Sequence, residues 1–206
     1  MPLVGGRSLI PLGASLPWVW VGAAVLTGAN NSVTMLFLNI SPFFYIPLSP
    51  TVAMLGPEDL KKFMEAKGVA GEFIHLKPHE AKTSVSAAAA VNCDVSRIAK
   101  NIVLVGSRAY VLVISGDKKI DLEKFSKVVN ENVRLAKPDE VLRITGYAVG
   151  GVPPFGHLDR VKTFVDSSVK RHDFVYTSGG ADNMLLKIKV DTLLNVAEAD
   201  VVDVSK

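Results

Sequence analysis

Hydrophobic and polar positions divide this chain into two unlike parts. From Ser8 to Pro57 there is no Lys, Arg, Asp or Glu, whereas all 20 acidic residues and 22 of the 23 basic ones follow. Stretches of such different composition are not expected to share one hydrophobic core. The uncharged part carries two apolar runs, Leu9 to Gly28 and Val33 to Leu48. The first is long enough to cross a bilayer, but Pro11 and Pro17 interrupt it, and Pro42, Pro47 and Pro50 lie in or after the second. Only Arg7 supplies the basic start that a signal peptide needs, and Leu26-Thr27-Gly28-Ala29 is a weak cleavage sequence. Met54-Leu55-Gly56-Pro57-Glu58 reads as a start running directly into a capped helix. The expectation is therefore an apolar extension over 1–53, a non-native or disordered segment in preference to a membrane-associated one, followed by one domain over 54–206.

In the charged part the pattern switches between helical and strand periods. Pro57 to Gly68 reads as a helix with Leu60, Phe63 and Met64 on one face, acidic residues in its first turn and a glycine at its end. Phe73 to Lys77 reads as a short strand. Thr83 caps a helix that includes Ala87 to Val91, and Asp94 caps the next turn. Asn101 to Val105 and Ala109 to Ile114 are near-continuous apolar strands joined by a Gly106-Ser107-Arg108 turn, a pattern expected where both faces are covered. Asp121 caps a helix whose buried stripe is Leu122, Phe125, Val128 and Val129. Val133 to Leu135 is a short strand, and Pro138 opens a helix that Gly146 ends. Strands follow at Lys162 to Val165, Phe174 to Thr177 and Met184 to Ile188, with a final helix from Asp191 and an edge strand over Val201 to Val204. Strands and helices intersperse without regular βαβ repetition. That predicts an α+β fold, a single domain on a mixed, largely antiparallel sheet surrounded by helices.

Composition excludes several chemistries. A net charge of +3 does not mark a DNA-binding protein. The single cysteine, Cys93, allows no intramolecular disulfide and fits a reducing, cytoplasmic setting. His75 and His79 are four apart, but Pro78 between them makes a helical metal pair improbable. No nucleophile elbow, phosphate loop or zinc signature occurs, so neither a metal nor another cofactor is expected.

The least ordinary run is Gly146 to His157, with four glycines and two prolines among Tyr147, Val149, Val152 and Phe155. Such a run cannot continue a helix or a central strand, and it suits either a packed loop or one whose backbone N–H groups approach a ligand. Lys100 opens a buried strand, where its ammonium reaches solvent or binds an oxygen in a cleft. Asn101 should face the other side of a regular strand. Asp166 reads first as a helix cap, and Ser178-Gly179-Gly180 as a tight hairpin or an anion nest.

In this order, these pieces resemble the YbaK/ProX family of aminoacyl-tRNA deacylases, over about Met54 to Lys206. The markers are the Lys100-Asn101 pair, Gly146 to Gly156, Asp166 after Thr163-Phe164-Val165, and Tyr176 to Gly180. The resemblance implies an enzyme that removes a wrongly attached amino acid, alanine or cysteine, from tRNA for proline, without a metal. It implies Lys100, Gly150 and Gly151 as catalytic residues, the lysine on the 3′-terminal adenosine or the ester and the glycine backbone on the aminoacyl carbonyl. Asn101, Tyr147, Phe155, Asp166, Ser178, Gly179 and Gly180 complete the substrate-binding set. The partners implied are the aminoacyl-tRNA 3′ end and prolyl-tRNA synthetase. Lys118, Lys119, Arg160, Lys170 and Arg171 are candidates for phosphate contacts. The chain departs from some members in lacking a tyrosine within Phe73 to Lys77 and in having Leu185 where an aspartate stands. A non-catalytic tRNA- or partner-binding relative is the alternative.

Overall fold

A computed structural model of the chain describes residues 54–77, 80 and 82–206. The apolar stretch 1–53 lies outside those residues, as does His79, whose metal pairing with His75 the intervening Pro78 makes improbable.

Local chemistry sets the helix limits. Helix α1 (Pro57–Ala66) begins at the proline, and the Asp59 carboxylate accepts the Gly56 N–H at 3.0 Å. Its buried positions are Leu60 and Met64, one helical turn apart. Strand β1 (Glu72–His75) follows, shifted slightly from its predicted span, and precedes α2 (Ser84–Ala90). Thr83 caps α2 by accepting the Ser86 N–H at 3.1 Å, and Asp94 holds a 3-10 turn over Val95–Arg97 by accepting the Ser96 N–H at 2.8 Å.

Strands β2 (Ala99–Val105) and β3 (Ala109–Ser115) form the predicted hairpin. From Tyr110 to Ser115 every residue of β3 is buried, as a strand covered on both faces requires. Helix α3 (Leu122–Val129), strand β4 (Arg134–Leu135) and helix α4 (Pro138–Thr145) then carry the chain to β5 (Lys162–Asp166), parallel to β3. A parallel neighbour demands a long crossover of this kind. In α3 only Phe125 is fully buried, and Val128, expected in the apolar stripe, is 46% exposed.

The hairpin of β6 (Phe174–Ser178) and β7 (Met184–Lys189) pairs with β1, and α5 (Val190–Val196) starts one residue before the predicted Asp191. Strand β8 (Asp200–Val202) adds an edge beside β5. The architecture is thus α+β with mixed and antiparallel pairing, but the expected single sheet is two. One has the order β4-β2-β3-β5-β8 and the other β1-β7-β6. They meet at a parallel bridge between Ile98 and Tyr176, which sets the start of β2 against β6. One core cluster fills the space between α1, the sheets and α5 and includes Tyr147, Val152 and Phe155. A second lies under α3, where Phe125 and Phe164 pack edge to face.

Candidate active site

Because Gly146 takes a left-handed conformation (φ 79°) at the end of α4, the chain leaves the helix and turns inward at once. Its N–H bonds to Leu142 O at 2.8 Å, closing the helix. Tyr147 follows into the core, and the loop then passes the start of β2 and the end of β6. Two side chains from those strands hold it there. Asn101 Nδ2 donates to Val152 O and to Thr177 Oγ1, each at 2.7 Å, and Ser178 Oγ donates to Gly150 O at 2.6 Å. The Val152 carbonyl can only accept, which fixes the Asn101 amide nitrogen on that side. Asn101 Oδ1 is consequently buried with no hydrogen-bond partner.

This clamp shapes a cavity of about 330 Å³ whose walls include Lys100, Asn101, Gly150, Val152, Ser178 and Leu185. At Gly150 φ is +88°, a conformation suited to glycine. Its carbonyl is held by Ser178, while its N–H has no hydrogen-bond partner among the described residues. Gly151 behaves differently. It is buried, its N–H bonds to Ala148 O at 3.0 Å, and a Cβ there would lie 3.0 Å from Ala181 Cα. Gly150 therefore faces the cavity and Gly151 packs the loop onto the β6–β7 turn.

Lys100 lines the same cavity. Its ammonium donates to Lys118 O at 2.5 Å and Gly116 O at 3.3 Å in the turn after β3. A lysine has three protons to donate, so one remains. Burial lowers the Lys100 pKa, opposed by the Asp117 carboxylate and reinforced by Lys119. The turn is itself pinned. Arg171 Nη2 reaches both Asp117 oxygens at 3.0 and 3.2 Å, and Ser115 Oγ donates to Asp117 at 2.5 Å. Burial pushes the Asp117 carboxyl up, but the bonds from Ser115 and Arg171 outweigh it and hold the group below its usual value.

The remaining predicted residues are placed elsewhere. Tyr147 is fully buried with its hydroxyl donating to Gly156 O at 3.2 Å, and burial raises its pKa to about 12. Phe155 stacks on Phe63 with ring centroids 5.8 Å apart, on the side of α1. Asp166 is buried at the end of β5, accepting the N–H groups of Ser168 and Val204 at 2.9 Å each. Gly179 uses its N–H on Met184 O at 2.8 Å, which makes Ser178-Gly179-Gly180 a hairpin end in place of an anion nest. A Cβ on Gly180 would sit 2.8 Å from Pro57 N. Of the basic residues read as phosphate contacts, Arg171 pairs with Asp117 and Arg160 with Glu198 at 3.4 Å. Sequence reasoning missed the Asn101–Val152 and Ser178–Gly150 bonds, the Asp117–Arg171 pair and the position of Asp182 in the cavity wall. No local pattern signals any of them.

Among the described residues no cluster of three or more His, Cys, Asp or Glu side chains is arranged to hold a metal, and His75 contacts Asn183 at 3.1 Å. No helix among them is long and apolar enough to cross a membrane. The arrangement offers the Gly150 N–H and the ammonium groups of Lys100 and Lys82 to an oxygen-rich, electrophilic group. The hydroxyl of Ser178 is engaged with the Gly150 carbonyl, and among the described residues no hydrogen bond joins it to a basic side chain that could activate it.

Residues 78–196 match the aminoacyl-tRNA editing domain. The uncharacterized protein YwhH of Bacillus subtilis (strain 168) is 33% identical over 108 residues, 52% of this chain and 69% of that protein. A proline–tRNA ligase of Pseudothermotoga lettingae is 31% identical over 91 residues, and the chain spans only 16% of that ligase. Among solved structures, one of a protein proposed as a trans-editing enzyme for prolyl tRNA synthetase superposes with a TM-score of 0.70 at 31% identity. It covers 73% of this chain and 96% of the other.

Proposed function

We propose that this chain, which belongs to the aminoacyl-tRNA editing domain family, hydrolyses the ester that joins a wrongly attached amino acid to the 3′-terminal ribose of tRNA. The observation that carries this reading is the placing of the unpartnered Gly150 N–H and the Lys100 ammonium on the walls of one cavity. As an ester is attacked, its carbonyl oxygen gains negative charge. A preset N–H dipole at that point lowers the barrier, because the donor needs no reorganisation when the charge appears. The Lys100 ammonium, with one proton uncommitted, stabilises charge on the ester or the adjoining ribose oxygen. The nucleophile is a water, which the neighbouring ribose hydroxyl can orient; its oxygen bonds to the carbonyl carbon, the bond from that carbon to the ribose oxygen breaks, and a proton from the water passes to the ribose oxygen, giving free amino acid and an intact ribose hydroxyl. Orientation of these groups in one cavity supplies the remainder of the rate.

Ala87, Ala99, Val152 and Leu185 give the cavity a small apolar side. This supports alanine or cysteine on tRNA for proline as the amino acid removed. Synthetase pockets reject small apolar side chains poorly, so a second hydrolytic site is needed to correct them. We place the activity beside prolyl-tRNA synthetase in the cytoplasm, acting on the tRNA 3′ end.

The test is deacylation of Ala-, Cys- and Pro-charged tRNA for proline by wild type and Lys100→Ala. Wild type should clear a mischarged tRNA in preference to the prolyl form, and Lys100→Ala should lose about 100-fold or more in rate with unchanged circular dichroism. Full activity in the variant would overturn the role of Lys100. A wild-type protein that binds charged tRNA but hydrolyses none would establish the non-catalytic alternative.

A further inference from the structure

We infer that Asp182 is the anchor for the free α-ammonium group of the aminoacyl substrate, so that the site accepts aminoacyl esters and rejects N-blocked ones. The inference rests on the deacylase reading of the same cavity.

Asp182 is the only carboxylate among the described residues that line the cavity. It is exposed, and no hydrogen bond or ion pair engages it among the described residues. It lies directly against the proposed carbonyl site, since a Cβ built on Gly150 would be 3.5 Å from Asp182 Cβ and 4.0 Å from its Cα. Covalent geometry then links the two positions. In an aminoacyl ester the amine nitrogen and the carbonyl oxygen are separated by only two atoms, so they lie about 3 Å apart. A carbonyl seated on the Gly150 N–H must therefore place its ammonium within reach of whatever adjoins Gly150. Asp182 adjoins it, and the other charged groups of the lining, Lys82 and Lys100, are cations that would repel an ammonium. Among the described residues of the lining, Asp182 is thus the group whose charge attracts the amine.

The turn that carries Asp182 is held independently of any ligand. Met184 N–H bonds to Ala181 O at 3.2 Å, and Gly151 packs against Ala181 from the loop side. The carboxylate is accordingly presented from a fixed backbone. Acylation of the amine removes its charge and adds bulk where the two chain segments already touch.

The experiment uses 3′-amino-3′-deoxyadenosine carrying alanine through an amide, which cannot be hydrolysed as an ester, and the same compound with its amine acetylated. Binding of both to the full chain and to Asp182→Asn is measured by titration. Wild type should prefer the free amine, and Asp182→Asn should reduce that preference about fivefold, the worth of a partly exposed ion pair. Equal binding of the two compounds by wild type, or an unchanged preference in Asp182→Asn, would overturn the inference. Parallel hydrolysis of Ala-tRNA and N-acetyl-Ala-tRNA separates the two readings. A protein that discriminates in binding but hydrolyses neither keeps the ammonium anchor and loses the deacylase.

Discussion

Replacing Asn101 by aspartate tests the clamp on the glycine loop at a single atom. The side chain keeps its shape, but an acceptor replaces the donor that lies 2.7 Å from the buried Val152 carbonyl. The Thr177 hydroxyl can turn to donate to the new carboxylate, so the Val152 contact is the one that becomes repulsive. Leaving a buried carbonyl unpaired costs about 1–3 kcal/mol, and the carboxylate charge adds to it. The carboxyl will therefore prefer its neutral form in the folded protein, with its pKa raised above the unfolded value of about 3.9. Below that unfolded value the charge penalty is absent; it grows as pH rises and levels off above the folded pKa. With about 2–4 kcal/mol lost at neutral pH, the melting temperature should fall by roughly 5–15 °C. Thermal melts of wild type, Asn101→Asp and Asn101→Ala at pH 4 and pH 7.5 measure this. Asn101→Ala should show a deficit that does not change between the two pH values. The reasoning fails if Asn101→Asp melts with wild type at both, or if its deficit shrinks as pH rises. Loosening the loop should also lower kcat/KM by about 10–100-fold.

Three further substitutions test other parts of the fold. Gly150→Ala adds a methyl in ordinary contact with Asp182 but forces alanine to φ +88°, so it should cost about 1–2 kcal/mol and lose far more activity than stability. Gly180→Ala, at φ +97° and 2.8 Å from the Pro57 backbone, should cost about 2–5 kcal/mol in denaturant melts. For Asp166, burial raises the pKa but the bonds from Ser168 and Val204 outweigh it and hold the carboxyl below its usual value. Its contribution to stability is present above the unfolded pKa and is lost as pH falls through the lower folded one. Asp166→Asn should therefore be clearly less stable than wild type at neutral pH, with the gap closing in strong acid.

The elements of this domain were legible wherever the signal is local. Pro57, Thr83, Asp94, Asp121 and Gly146 act within four residues of their own positions, and each begins or ends the structure expected of it. The same reasoning separated one sheet from two poorly, since nothing in the apolar runs says which strands pair. Tyr147 and Phe155 illustrate a different limit. Their place in a glycine-rich loop suggested ligand contact, but large apolar side chains in a turning loop are also what anchors it to a core, and that is where both lie. Lys100 and Gly150 were conspicuous as an isolated lysine and a glycine, but their residue types left solvent contact and packing open, and it was the family resemblance that marked them as site residues. Ser178 was visible as part of a turn, while its bond to Gly150, 28 residues away, depends on tertiary approach alone. Asp182 and Asp117 look like any surface acids until the loop and Arg171 are brought to them.

The loop that holds Gly150 is fastened by Asn101, well before it in the chain, and by Ser178, well after it. A chain emerging from the ribosome therefore presents Lys100 and the glycines long before they can act together. Competence should appear abruptly, once β6 and β7 have been made and have closed on β1. With the deacylase activity proposed above, the nascent protein would up to that moment be inert toward the charged tRNAs feeding its own synthesis.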